Sequence, residues 1–203
     1  MIAWMEGVLR ERTPTRVVVD VRGVGYDVHV SLATFAALPD EGKTVALRIH
    51  THVREGSLQL FGFAGAQERT AFELLLRTSR VGPRLAQTVL SGIGPGELLA
   101  AIRSGDGGAL RRVPGVGAKL ADRILVELRD RADELAASLA GAGDPARGEA
   151  REPSARGQAL SALLNLGYGK PQAERILDEA EAEIGSDAPV EAWVRAALKS
   201  LAR

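Results

Sequence analysis

The sequence contains no cysteine, and this absence excludes disulfides, thiolate metal sites and cysteine nucleophiles together. It also lacks an apolar run close to the ~20 residues that would span a bilayer. The first residues show no basic segment followed by an apolar one, so we expect no export. Together these absences predict a cytoplasmic protein with no membrane partner.

Net charge is absent as well, because 26 basic side chains balance 26 acidic ones, whereas proteins that bind nucleic acids are usually basic. The distribution is uneven, however. Between Arg77 and Arg123 eight side chains are basic and three are acidic. Such a local excess suits either a phosphate-binding surface or a solvated helical face, and charge alone does not choose between them.

The first part of the chain has the period-two alternation of β-strands. Strand-like patterns cover Val17–Val21, Tyr26–Val30, Val45–Val53 and Leu58–Phe63. Only Ser31–Leu38 has a helical pattern, with Ser31 able to cap its first turn. With a first strand before Val17, these patterns make five strands with one short helix after the third, which predicts a small open barrel of the OB type over residues 1–63.

From Ala66 onwards the apolar residues recur at helical spacing, which predicts an all-α domain over residues 64–139. Residues 140–155 contain glycine and proline but no large apolar side chain, so we expect a flexible linker. Three short amphipathic helices are predicted in residues 156–203. The expected fold class is therefore α+β and multidomain.

The helical region contains an internal repeat. Val81–Leu90 and Val116–Leu125 are identical at five of ten aligned positions, with an offset of 35 residues, and Arg84 aligns with Lys119. This offset is about the length of one helix–hairpin–helix unit. The repeat predicts two such units in tandem.

The second residue of each repeat is a glycine next to a helix start, where a ligand can approach the backbone because no Cβ is in the way. The first N–H groups of a helix lack intrahelical partners and favour anions. Phosphates bound in this way would be held whatever the base sequence. The predicted DNA-binding residues are Arg80, Val81, Gly82, Pro83, Arg84, Gly115, Val116, Gly117, Lys119 and Arg123. The alternative is that both turns only connect helices.

Arg80 departs from the repeat, because the second turn has Gly115 at the equivalent position. If that position requires a positive φ, arginine is strained there. Alternatively, its guanidinium adds a phosphate contact. The sequence leaves both possibilities open.

Catalytic chemistry has little support in the sequence. His50 and His52 share one strand face but no third metal ligand is evident, and a phosphate-binding loop for ATP is absent. We therefore predict no catalytic residue, no metal and no cofactor. Two rival classes remain, a helix–hairpin–helix DNA-repair enzyme such as a glycosylase and an interaction scaffold that binds no DNA.

Several segments, taken in order, resemble the RuvA family of Holliday junction branch migration subunits. They are Gly23-Val24-Gly25-Tyr26-Asp27-Val28-His29, Val53-Arg54-Glu55, Leu60-Phe61-Gly62-Phe63, Gln67-Glu68-Arg69, Val81-Gly82-Pro83-Arg84-Leu85-Ala86, Val113-Pro114-Gly115-Val116-Gly117 and Leu166-Gly167-Tyr168. The resemblance runs from Met1 to about Leu201 and fails only in the predicted linker.

The resemblance implies an OB-fold barrel, a tandem helix–hairpin–helix domain and a tethered, UBA-like three-helix module. It implies a homotetramer that holds a four-way DNA junction open and recruits the hexameric RuvB ATPase for branch migration, with the RuvC resolvase as a further partner. The implied setting is DNA recombination, repair of DNA damage and the SOS response. The chain itself would be a non-catalytic subunit, with ATPase activity in its partner.

The resemblance also assigns residues outside the repeat. Glu55 matches a carboxylate of an acidic pin at the tetramer centre, and Gly56 stands where the family often has a second acid. Four positions match the family's contacts with the motor: Leu163, Leu166, Tyr168 and Leu198. These could instead be the core of a small bundle, and among them we expect Tyr168, beside a glycine turn, to be the most exposed.

Overall fold

The computed structural model describes residues 1–141, 154–186 and 188–201. Its contacts divide the chain into two compact units, Met1–Gly148 and Glu149–Arg203. Most of the predicted linker, residues 142–153, lies outside the described residues. Ala140 and Gly141 complete a helix and Ala155 begins one, so the ends of the predicted linker belong to the flanking helices.

The first unit begins with a five-stranded barrel, as the sequence predicts. Its strands are β1 (Trp4–Thr13), β2 (Arg16–Val21), β3 (Val24–Val30), β4 (Thr44–Arg54) and β5 (Ser57–Phe63). They are ordered β1-β2-β3-β5-β4 around the barrel. The expectation of an open barrel is wrong, because β1 pairs with β4 as well as with β2 and so closes the sheet. Strands β3 and β5 pair in parallel, and the other pairs are antiparallel.

Alternation places one face of each strand in the barrel core. Val17 and Val19 on β2 and Val28 and Val30 on β3 are all buried, because successive side chains of a strand point to opposite faces. Helix α1 (Leu32–Ala37) follows β3. The Ser31 hydroxyl caps it by accepting the Thr34 N–H at 3.0 Å, the cap predicted from the sequence.

The rest of the first unit is helical. It comprises α2 (Ala66–Leu75), α3 (Pro83–Gly92), α4 (Pro95–Ser104), α5 (Gly108–Arg111), α6 (Ala118–Leu128), a 3₁₀ turn (Arg129–Arg131) and α7 (Ala132–Gly141). Helices α3 and α6 are the two repeats. Both are amphipathic, and their buried faces contribute Val89 and Ile124 to one shared core.

The barrel and the helices share part of that core. Phe61 and Phe63 of β5 pack against Phe72 of α2, with ring centroids 5.2 and 4.9 Å apart. The Gln87 side chain of α3 donates to the carbonyls of Val30 and Thr15 of the barrel. These contacts bring the start of α3 close to the barrel surface.

The second unit contains three helices, as predicted: α8 (Ala155–Asn165), α9 (Lys170–Ile184) and α10 (Val190–Leu201). Its core is built around Trp193 with Leu163 and Leu177, all fully buried. Within the described ranges, no single helix of the chain is long and apolar enough to cross a membrane. Helices α3 and α4 are long and apolar enough only when they are counted together, and the chain bends by 95° between them.

Candidate nucleic-acid interface

The two predicted hairpin turns have the same backbone geometry. The N–H of Val81 donates to the carbonyl of Thr78 at 3.1 Å, and 35 residues later Val116 donates to Val113 at 3.0 Å. The glycines that follow are nearly superimposable in conformation, with φ −89° and ψ 171° at Gly82 and φ −83° and ψ 171° at Gly117. The repeat in the sequence is therefore a repeat in structure.

The same hydrogen bonds correct one part of the prediction. The amides of Val81 and Val116 are not free donors, because each closes its own turn. Both side chains are buried in the helical core. The expectation that these two amides face a phosphate is therefore wrong, and the two valines hold the turns in place.

Free donors lie one to four residues further along. Within the part of the chain that the structure describes, no acceptor contacts the N–H groups of Gly82, Arg84 and Leu85. Pro83, at the first turn of α3, has no N–H to satisfy. Three amides therefore remain at the start of α3, where the helix dipole is positive.

The second helix start is similar. No acceptor among the described residues contacts the amides of Gly117, Ala118 and Lys119. A Cβ built on Gly82 or on Gly117 would meet no protein atom within 4 Å, and their negative φ values suit any residue. Neither packing nor backbone strain requires glycine here, so its small size leaves room for a group outside the protein.

Cationic side chains lie beside these amides. Arg80, Arg84 and Lys119 are exposed and form no salt bridge with any described residue. Arg123 lies one turn after Lys119 on α6, and its Nε is 3.8 Å from Glu127 Oε1. Each helix start therefore combines free N–H groups with at least one mobile positive charge, which is the arrangement that binds phosphate.

The position of Arg80 in the first turn is now defined. Its φ is +70°, and that of Gly115 in the second turn is +86°. The position does require the left-handed region, so arginine is strained there. The exposure of its side chain also leaves the guanidinium available to a ligand.

The structure reveals a groove that the sequence did not predict, between the barrel and the start of α3. It has a volume of about 490 Å³ and is lined by His52, Arg54, Ser57, Gln59, Gly82, Pro83, Arg84 and Leu85. The barrel residues meet in two cross-strand pairs, His52 with Gln59 and Arg54 with Ser57. The alternating positions of His52 and Arg54 signalled a shared face, but nothing local indicated what would pack beside it.

Two histidines lie close to these cations. Burial and the charge of Arg54 lower the pKa of His52, and burial and the charge of Arg84 lower that of His29. Both rings are therefore neutral near pH 7. The positive charge near these two histidines therefore comes from Arg54 and Arg84.

The predicted pin residue lies at the tip of the β4–β5 hairpin. Glu55 is exposed, and Gly56 beside it has a φ of +72°, as the tight turn requires. Val53 and Leu58 behind the tip are 68% and 62% exposed. The tip thus presents one carboxylate above an uncovered apolar pair.

The four positions proposed for motor contact differ in exposure. Leu163 is fully buried in the core of the second unit, so its assignment to a contact surface is wrong and it packs the bundle instead. Tyr168 is partly buried against the same core, which contradicts the expectation that it is the most exposed of the four. Leu166 is 60% exposed and Leu198 39%.

Leu198 also lines a shallow apolar groove of about 470 Å³ on α10, together with Val190, Glu191, Val194 and Arg195.

Three family models match the chain, one after another along its length. The RuvA N terminal domain matches residues 1–62, a SAM-like helix-hairpin-helix tandem matches residues 72–130, and the RuvA C-terminal domain matches residues 154–202. These spans correspond to the barrel, the two repeats and the three-helix unit.

Similarity to curated relatives extends over almost the full length of the chain. Proteins named Holliday junction branch migration complex subunit RuvA are 46% identical in Acidobacterium capsulatum, over 98% of both chains, and 45% identical in Syntrophobacter fumaroxidans, over 100% of both. One from Pelobacter propionicus is 43% identical over 100% of both chains. With its barrel, its tandem hairpins and its three-helix unit matched in order, the chain belongs to the RuvA family.

Proposed function

We propose that this chain is the junction-binding subunit of a branch migration complex and that it grips the sugar–phosphate backbone of four-way DNA. One observation carries the proposal: two helix starts, 35 residues apart, present unpartnered amides beside exposed cations. We infer the preference for a four-way junction from the names of the relatives. Phosphate contacts alone carry no such preference.

Binding at each turn follows from simple electrostatics. A phosphate oxygen accepts hydrogen bonds from the free amides of Gly82, Arg84 and Leu85, or from those of Gly117, Ala118 and Lys119. The side chains of Arg84 and Lys119 then neutralise its charge. Hydrogen bonds between charged and polar groups of this kind are about twice as strong as neutral ones, and they tolerate any base sequence.

We assign the groove beside the first turn to the same surface. Arg54 on the barrel and Arg84 on α3 both line it, so a backbone bound at Gly82 would lie within reach of both guanidinium groups. Arg80 and Arg123 complete the set of cations. The chain would then bind DNA without cutting it or changing it chemically.

A tetramer would place four copies of the β4–β5 hairpin around the junction centre. There Glu55 would act as the pin, since a carboxylate repels the phosphates of a duplex that stays intact as it passes. This chain offers one such charge per subunit because Gly56 follows it.

The three-helix unit would recruit the RuvB ATPase. Two of its exposed apolar side chains, Leu166 and Leu198, are the proposed contacts, together with the more buried Tyr168. ATP hydrolysis would belong to the partner. RuvC would act on the same junction in the cytoplasm.

The test is the salt dependence of binding to a four-way junction and to a linear duplex of the same sequence. Each lost phosphate contact should flatten the slope of log affinity against log salt by ~0.9 for duplex DNA. We expect Lys119→Ala and Arg84→Ala each to weaken binding and to flatten the slope. Arg175→Ala, which removes an exposed charge from α9 in the second unit, is the matched control.

Unchanged affinity and slope in both hairpin variants would refute the assignment. Binding to neither DNA by the wild-type chain would support a scaffold, and release of a base from the duplex would support a repair enzyme.

A further inference from the structure

An acidic side chain contacts the first turn of the proposed phosphate-binding surface. Glu127, on α6, accepts a hydrogen bond through Oε2 from the backbone N–H of Ser79 in the first turn, at 2.9 Å. Its Oε1 lies 3.8 Å from Arg123 Nε. One carboxylate therefore connects the first turn to the helix that begins at the second.

The repeat shows why this bond exists in one turn only. Ser79 has Pro114 as its equivalent in the second turn, and proline has no N–H to satisfy and a fixed φ. The first turn has neither advantage, and its next residue, Arg80, has the strained φ of +70°. The hydrogen bond that Ser79 donates to Glu127 compensates, because it holds the turn against α6.

Electrostatics alone would disfavour a carboxylate at this place. A negative charge beside Arg123 reduces the attraction of the surface for phosphate. The side chain of Glu127 is 34% exposed, so solvent and a bound backbone could both reach it. A group that weakens the local field yet contacts both repeats is better explained by what it holds in place.

We propose that Glu127 is a positioning residue that fixes the first turn to α6, so that the two sets of free amides keep one separation and engage phosphates of the same backbone together. The inference rests on the phosphate-binding function proposed above. Glu127 acts through Ser79 and touches no DNA itself.

For one substitution, Glu127→Ala, the positioning role predicts weaker junction binding, whereas the loss of a repulsive charge alone predicts tighter binding. Glu127→Ala removes both the repulsive charge and the acceptor, and we expect junction affinity to fall about tenfold, which corresponds to about 1.4 kcal/mol. Glu127→Gln removes the charge but keeps an oxygen that can accept the Ser79 N–H. We expect it to bind at least as tightly as the wild type.

Ser79→Pro supplies the matched background because it copies Pro114. It removes the N–H that Glu127 satisfies and stiffens the turn, so Glu127 should become dispensable. In that background Glu127→Ala should no longer weaken binding and should tighten it slightly, because only the repulsion is lost. Thermal unfolding of each variant would establish that the proteins compared are folded, and Glu127→Gln with Ser79→Pro tests the inference if Glu127→Ala does not fold.

Tighter binding by both Glu127 variants, equal weakening by both, or the same loss in the Ser79→Pro background would overturn the inference. Failure of the wider function has a different signature, since Arg84→Ala and Lys119→Ala would then bind as the wild type does. If those two variants weaken binding and Glu127→Ala does not, only the positioning role is refuted.

Discussion

Arg80 and Gly115 occupy the same position of two repeated turns and share a left-handed backbone, with φ of +70° and +86°. The turn geometry therefore sets the conformation, and the residue at position 80 adopts it at a cost. A side chain other than glycine is destabilised in this region by ~1–2 kcal/mol.

The first prediction follows from this strain. Arg80→Gly should raise the free energy of unfolding by about 0.5–1 kcal/mol, the strain relieved less the greater chain entropy of unfolded glycine. Urea unfolding measures it. Gly115→Ala is the opposite control: it places a Cβ at a positive φ and should destabilise the protein. If Arg80 also contacts phosphate, Arg80→Gly will flatten the salt slope while stabilising the fold, and a loss of stability would contradict the strain.

Thr78 supplies a second prediction from the same comparison. It is 2% exposed, and its hydroxyl has no hydrogen-bond partner among the described residues. The equivalent residue of the second turn is Val113, which is equally buried. Thr78→Val should stabilise the protein by about 1 kcal/mol, because an unsatisfied buried hydroxyl is removed. Unfolding by urea tests this, and a destabilised variant would show that the hydroxyl is satisfied.

Glu68 couples the barrel to the helices. Its carboxylate, on α2, accepts hydrogen bonds from the hydroxyls of Ser31 and Thr34, at the start of helix α1, which follows barrel strand β3, and the residue is 8% exposed. We expect Glu68→Ala to destabilise the first unit by about 3 kcal/mol, since hydrogen bonds to a charged group contribute ~1.5–3 kcal/mol each. Glu68→Gln keeps one acceptor and should lose less. Equal stability of Glu68→Ala and wild type in urea would contradict the coupling.

Stability should also depend on pH through His29. Burial, followed by the charge of Arg84, lowers its pKa from the ordinary value of 6.5. The unfolded chain therefore binds the proton first as pH falls, and stability is lost from 6.5 downwards until the folded-state pKa is reached. In His29→Gln, the free energy of unfolding should depend less steeply on pH in this range. Unfolding midpoints at a series of pH values measure the slope, and an unaltered slope would exclude His29 as its source.

The pin makes a prediction about DNA choice. Glu55→Gln removes the charge at the hairpin tip without changing the turn, and should tighten binding to plain duplex relative to junction, because the repulsion of intact backbone is lost. Gly56→Asp should act in the opposite direction, although it places an L residue at a φ of +72°. Competition between the two DNA forms measures the ratio of duplex affinity to junction affinity. The same ratio in Glu55→Gln and the wild type would show that Glu55 is only a turn residue.

Most of the fold could be predicted from the sequence because its elements are specified locally. Tyr26–Val30 alternates with period two, and Ser31 can cap only the helix that follows it, so both features are visible without a partner. The 35-residue repeat is equally local, since each copy contains its own turn and helix start. These patterns are sufficient to predict a barrel, tandem hairpins and a small helical unit.

The site was predicted less completely, and the errors share a cause. The sequence located both turns but not which amides are free, because Val81 and Val116 close their turns through bonds that depend on the path of the chain. It assigned Leu163 and Leu166 to one contact surface, although one is buried and the other exposed. Spacing along a short helix indicates a face, whereas burial depends on what packs against that face.

The sequence by itself therefore determined the elements, the repeat and the cations that follow each glycine, since these depend on residues within a few positions of one another. Only the tertiary structure decided that Glu127 meets Ser79, 48 residues away, and that Arg54 of the barrel lines one groove with Arg84. Both contacts arise when separate elements pack together, and their residues carry no local mark of it, because a side chain's spacing in the chain does not specify its neighbours across a core.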